Sequence, residues 1–93
     1  MKKKFIDNPN TAVFTTRFIL DRTEIIKYVF HYEDDGAWEF VGGKESDESD
    51  YRVISLEEII MVDNSILDIS DLPLGYSAYR DTQKDKWTIK QIV

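Results

Sequence analysis

Polar and apolar positions along the chain change period twice. From Thr11 to Leu20 they alternate, with Phe14, Phe18 and Leu20 on one parity and Thr15 and Arg17 on the other, which is the period of a strand. A second alternating stretch runs from Ile25 to Tyr32. Its even positions Ile26, Tyr28, Phe30 and Tyr32 are all apolar or aromatic, while the odd ones mix Ile25 and Val29 with Lys27 and His31. A third covers Ala37 to Val41, with Trp38 and Phe40 on one side and Glu39 on the other. Asp34-Asp35-Gly36 separates the last two stretches, and a three-residue hairpin loop ends on a residue at positive φ, which glycine adopts freely. That loop would pair Tyr32 with Trp38, Phe30 with Phe40 and Tyr28 with Gly42. All these aromatics then share one face, with His31 opposite Glu39 and Val29 opposite Val41 on the other. A slip of one residue would set Glu39 against Phe30, and the alternation argues against it. A turn around Asp21 to Ile25 would likewise pair Leu20 with Ile26, Phe18 with Tyr28 and Phe14 with Tyr32, completing a three-stranded meander.

Beyond Gly42-Gly43 an acidic loop leads to a short apolar stretch, Tyr51 to Ile54, and the period then lengthens. Ser55-Leu56-Glu57-Glu58 has the capping-box pattern, in which the serine hydroxyl and the glutamate carboxylate each accept from the other residue's backbone amide. A helix is expected from Leu56, with Leu56, Ile59 and Ile60 as its apolar stripe and Glu57 and Glu58 at the positive end of its dipole. A second helical turn is expected over Ser65 to Ile69, stopped by Pro73. Tyr76 to Arg80 and Lys86 to Ile92 alternate again, predicting a terminal hairpin closed by Asp81 to Asp85, with Trp87 and Ile89 facing Ala78 and the core. The expected fold is α+β: an antiparallel sheet of about five strands, a meander plus the C-terminal hairpin, with one or two short helices on one face. Residues 1–10 read as a flexible N-terminal segment and 11–93 as a single domain.

Composition narrows the chemistry. The 93 residues include five Phe, five Tyr and two Trp, enough large apolar surface to close one core, and no cysteine, which removes disulfides and thiolate zinc sites. The net charge of -6 conceals a division along the chain. Residues 1–32 hold six basic and three acidic side chains, residues 72–93 four and two, and residues 33–71 two and thirteen, so the middle alone carries -11. Phosphate binding needs clustered Lys and Arg, so a nucleic-acid partner is not expected. Lys2-Lys3-Lys4 imitates the start of a signal peptide, but Asp7-Asn8-Pro9-Asn10 stands where the apolar stretch should be, and no apolar run approaches the roughly 20 residues of a membrane span. A cytoplasmic protein without a membrane partner is expected.

Catalytic signatures are missing. His31 is the one histidine, and the expected register makes it a surface contact to Glu39 near Thr15 and Lys27. Asp47, Glu48 and Asp50, and separately Asp63, Asn64, Asp68 and Asp71, are oxygen-rich but lack the spacing of a calcium loop. No nucleophile elbow or phosphate loop is present, and Gly42-Gly43 lacks the glycines and following helix of a phosphate site. Trp38 and Trp87 fall on the expected core face. No cofactor, no metal and no enzyme activity are expected.

Three segments carry a resemblance: Asp34-Asp35-Gly36-Ala37-Trp38-Glu39-Phe40, then Val53-Ile54-Ser55-Leu56-Glu57-Glu58-Ile59, then Asp71-Leu72-Pro73-Leu74-Gly75-Tyr76 with Ala78 and Arg80. Over residues 12–88 the chain is similar to a group of small bacterial proteins, and through it resembles the immunity-protein-33-like group. That group shares a Gly-x-Trp-x-Phe strand, an acidic loop and a late Gly-x-Ala-x-Arg segment. This chain lacks the longer Gly/Ser-rich stretch after the tryptophan strand, and no functional residue carries over. The resemblance implies a bacterial cytoplasmic protein with an antitoxin-like binding role.

Two functional expectations follow. In the first, Asp34, Asp35, Glu45, Asp47, Glu48 and Asp50 form the surface that attracts a basic protein, because a negative patch steers a cationic partner. In the second, a small ligand or regulator binds a pocket beside Tyr76 and Arg80, where the guanidinium would meet a carboxylate. A monomer or weak homodimer is expected, the outer face with Ile19, Val29 and Val41 being apolar enough to pair.

Overall fold

A computed structural model of the chain describes residues 3–92. The elements are β1 (Ala12–Thr16), α1 (Arg17–Leu20), β2 (Tyr28–His31), β3 (Trp38–Val41), β4 (Tyr51–Ser55), α2 (Leu56–Val62), β5 (Tyr76–Tyr79) and β6 (Thr88–Gln91). Short 3-10 turns cover Glu48–Asp50 and Asn64–Ile69. The six strands form one sheet in the order β4-β1-β3-β2-β5-β6. All neighbours are antiparallel except β1 and β3, which run parallel with Phe14 beside Glu39.

The α+β class and the C-terminal hairpin agree with expectation, with Ala78 opposite Ile89, but of the two residues expected to face the core Trp87 packs on it while Ile89, on the edge strand, stays 49% exposed. The capping box is formed: Ser55 Oγ accepts from Glu58 N–H at 3.1 Å, and Glu58 Oε1 accepts from Ser55 N–H at 3.1 Å. The expected meander is corrected in two places. The first strand stops at Thr16 and turns into α1, where Asp21 N–H donates to Arg17 O at 2.9 Å and Arg22 takes a φ of 65°. Its pairing with β2 is therefore absent, and β3 lies between the two. The stretch Tyr51 to Ile54, expected only as a short apolar segment, belongs to a sixth strand, Tyr51–Ser55, on the free side of β1.

The second correction concerns the β2–β3 register. Tyr32 N–H donates to Ala37 O at 2.9 Å and Gly36 N–H to Tyr32 O at 3.0 Å, so the loop holds four residues, Glu33 to Gly36. Gly36 takes the expected positive φ, 74°. The added residue shifts every pair by one: His31 faces Trp38, Val29 faces Phe40, Phe30 faces Glu39 and Tyr28 faces Val41. The aromatic residues of the two strands are thus divided between opposite faces.

One face carries Val13, Val29, Trp38, Phe40 and Ala78, all buried, and is covered by Leu56 and Ile59 of α2 together with Ile19, Ile26, Ile66, Ile69 and Leu72. Ile19 and Val29, assigned to an outer dimer face by the sequence, belong to this core. Phe5, from the segment expected outside the domain, is buried edge-on against Trp38 at a centroid distance of 4.9 Å. His31 lies on the core side, its ring stacked on Trp38 at 3.8 Å and its Nδ1 donating to Leu72 O at 2.7 Å. It is not a surface partner of Glu39.

Candidate functional site

Among the described residues the buried apolar side chains of the helices all belong to that core, and the opposite face of the sheet is partly in water. The pairings set Val53, Phe14, Glu39, Phe30, Ser77 and Lys90 in one row across all six strands. Tyr28, Phe30 and Tyr32 project along β2 as a ladder, with stacked rings 6.3 and 5.8 Å apart, and Tyr79 packs on Tyr28 at 5.0 Å. Phe14 is 41% exposed and Val53 60%, so large apolar area stands in water here. Isolated exposed apolar residues are ordinary, but a contiguous set on one face marks an interaction surface.

Glu39, midway along β3, lies among these rings and accepts a hydrogen bond from the Tyr32 hydroxyl. Burial, then the Glu39 carboxylate, push the Tyr32 phenol far above its ordinary range, and the same two causes raise Tyr51. Both hydroxyls therefore remain protonated donors at neutral pH. Tyr79 is pushed up to about 12, chiefly by its hydrogen bond to Asp81. Phe14, Tyr32, Ala37 and Tyr51, with Glu39, Asp34 and Asp35, line a hollow of about 390 Å³.

The six acidic residues expected to act together are divided by this geometry. Asp34 and Asp35 stand at the hollow, where Asp35 Oδ1 also accepts from Ala37 N–H at 2.9 Å. The segment Glu45 to Asp50 follows the other end of β3, about 13 Å away at the usual strand rise for four residues. There Glu45 and Glu48 are exposed. Asp47 caps the 3-10 turn, accepting from Ser49 N–H at 2.9 Å and Ser49 Oγ at 2.6 Å. Asp50 is buried, with Oδ1 bound to Arg17 Nε at 2.8 Å and Oδ2 accepting from Asp47 N–H at 3.0 Å. The Arg17 hydrogen bond, then the Asp47 amide, hold its carboxyl below the ordinary value of 3.8. Asp50 is thus a structural anion already paired within the chain.

Arg80 is also committed. Its guanidinium is buried, donates to Asp63 Oδ2 and Ser65 Oγ at 2.8 Å and to Ile26 O at 3.0 Å, and lies over the Trp87 ring at 4.0 Å. The guanidinium is thus engaged within the chain, and Tyr76 packs against the core and pairs with His31 across β2 and β5. Among the described residues no group of three His, Cys, Asp or Glu is placed to hold a metal ion, and no helix is long and apolar enough to cross a membrane.

The sequence pairs Phe14 with Tyr32 but does not bring Glu39 and Tyr51 to them, as the hollow does. The signal was present: the even positions of β2 are aromatic throughout, and the slipped register brings a lone carboxylate against them. The Immunity protein Imm33 domain matches residues 13–91, a span that runs from β1 through β6. The chain belongs to the Imm33 immunity protein family. No curated protein and no solved structure gives a significant match. For an Imm33 domain, membership implies a toxin protein as partner. The open aromatic face is then the surface to consider, because the other face is closed by the domain's own helices.

Proposed function

We propose that this chain is a non-enzymatic binding protein that neutralises a basic toxin in the bacterial cytoplasm, docking it on the open face of the sheet. The uncovered aromatic surface around Glu39 carries the reading, since it is apolar at its centre and acidic at both ends. Asp34 and Asp35 at one end and Glu45 and Glu48 at the other supply the attracting field, and the aromatic ladder supplies the buried contact. Asp47 and Asp50 shape the second acidic loop and do not meet the partner. The alternative of a small ligand beside Tyr76 and Arg80 is less favoured, because the Arg80 guanidinium is already held by Asp63 and Ser65 and lies over Trp87.

The test begins with co-purification from source cells at low salt, followed by calorimetric titration with the purified partner at two ionic strengths. A basic toxin whose affinity falls about tenfold or more between 0.05 and 0.5 M salt supports the reading, since exposed charges are screened over a few ångströms at high salt. Affinity that is unchanged by salt, or a partner without a basic surface, overturns the electrostatic part. Binding that survives Phe30→Ser and Val53→Ser together overturns the choice of face.

A further inference from the structure

We propose that the hollow at Glu39 is the seat of one arginine side chain of the partner, an inference that rests on the docking face just described. The fold already holds two of its own arginines by one recipe, a carboxylate at hydrogen-bond distance and an aromatic ring over the guanidinium. Arg80 pairs with Asp63 at 2.8 Å and lies over Trp87 at 4.0 Å. Arg17 pairs with Asp50 at 2.8 Å and lies over Phe18 at 4.3 Å. Glu39 with Tyr32, Tyr51 and Phe14 is a third such set, and here the cation is missing: among the described residues the ion pairs are Lys3–Asp71, Arg17–Asp50 and Arg80–Asp63.

The chemistry selects arginine. Ring faces attract a cation through their quadrupole, and a planar guanidinium can stack on a ring while its forked donors address a carboxylate. A lysine ammonium is a compact, strongly hydrated charge and gains less from such walls. Glu39 holds the Tyr32 hydroxyl yet keeps acceptor capacity, because an ionised carboxylate offers about four lone-pair sites. The hollow of about 390 Å³ admits a guanidinium and its methylene stem, and Asp34 and Asp35 at its mouth favour a positive charge entering.

The test uses three tripeptide amides, Gly-Arg-Gly, Gly-Lys-Gly and Gly-citrulline-Gly, titrated into the full chain and followed by backbone amide NMR shifts. The expected result is shifts centred on Phe14, Tyr32, Glu39 and Tyr51, with the neutral citrulline peptide about tenfold weaker than the arginine peptide and lysine between them. Glu39→Gln should weaken the arginine peptide by a similar factor while leaving the amide spectrum folded, and Glu57→Gln, on α2, should leave it unchanged. Equal responses to arginine and citrulline, shifts spread over Glu45, Glu48 and Glu57, or no shift at Glu39 would overturn the assignment. So would lysine binding as well as arginine. These outcomes do not involve the toxin: a basic partner that binds a chain without an arginine seat removes this inference alone. An arginine seat in a chain that binds no basic partner removes the docking reading instead.

Discussion

On the helix-covered face, Trp38 and Phe40 stack 6.0 Å apart, fully enclosed, with Phe5 and His31 packed around them. On the open face, Tyr28, Phe30 and Tyr32 stack at nearly the same spacing and remain partly in water. The same residue class at the same separation thus serves two ends, and what differs is the company of charge. The two buried aspartates, Asp63 and Asp50, each have an arginine, whereas Glu39, half-buried among rings, has a phenol as its partner. A charge withdrawn from water needs a partner, so a carboxylate left without a cation at a half-buried aromatic site reads as reserved for another molecule.

That contrast can be broken most directly with a matched pair of deletions. Phe40→Ala should lower stability by about 3 to 5 kcal/mol, as for a large side chain removed from a packed core, whereas Phe14→Ala should lower it by under about 1 kcal/mol. Urea unfolding of both variants measures the difference, and equal losses would show that the open face is a second core. Asp63→Ala should cost roughly 3 kcal/mol, because it strands a buried Arg80, while Asp34→Ala should stay within about 0.5 kcal/mol. The smallest effect is a pH dependence. Asp50 has a folded pKa below its ordinary 3.8, so its contribution is fully present above that value and is lost as pH falls through the folded one. The stability gap between the native chain and Asp50→Asn should therefore be constant near neutrality and shrink below about pH 4. A gap that persists at pH 2 would contradict the Arg17 pairing.

Local features of this fold were readable from the sequence, and the non-local ones were not. Ser55 and Glu58 announce α2 through contacts three residues apart, and the Tyr76–Arg80 and Lys86–Ile92 alternation gives a hairpin whose strands are neighbours in the chain. The insertion of β3 between β1 and β2 has no such local mark, because it depends on α1 carrying the chain away after Thr16. The register error has a specific origin. In Ile25 to Tyr32 both parities hold apolar residues, Val29 on one and Phe30 on the other, so burial pattern alone does not choose the core face. The choice falls to the loop, where Asp35 accepting from Ala37 N–H and Gly36 bonding back to Tyr32 favour four residues over three. For the site, the concentration of acid between residues 33 and 71 was visible, but not that Arg17 and Arg80 would claim Asp50 and Asp63 and leave Glu39 as the carboxylate among the rings.

The central place of β3, with hydrogen-bonded neighbours on both sides, bears on how the surface moves. Local opening of a sheet starts at its edges, here β4 and β6, and reaches an inner strand only when much of the molecule opens with it. Amide protons of Trp38 to Val41 should accordingly be among the slowest to exchange with solvent, and the floor beneath Glu39 stays fixed while the rims breathe. A partner meets a preformed floor, so little ordering entropy is lost there when the two associate.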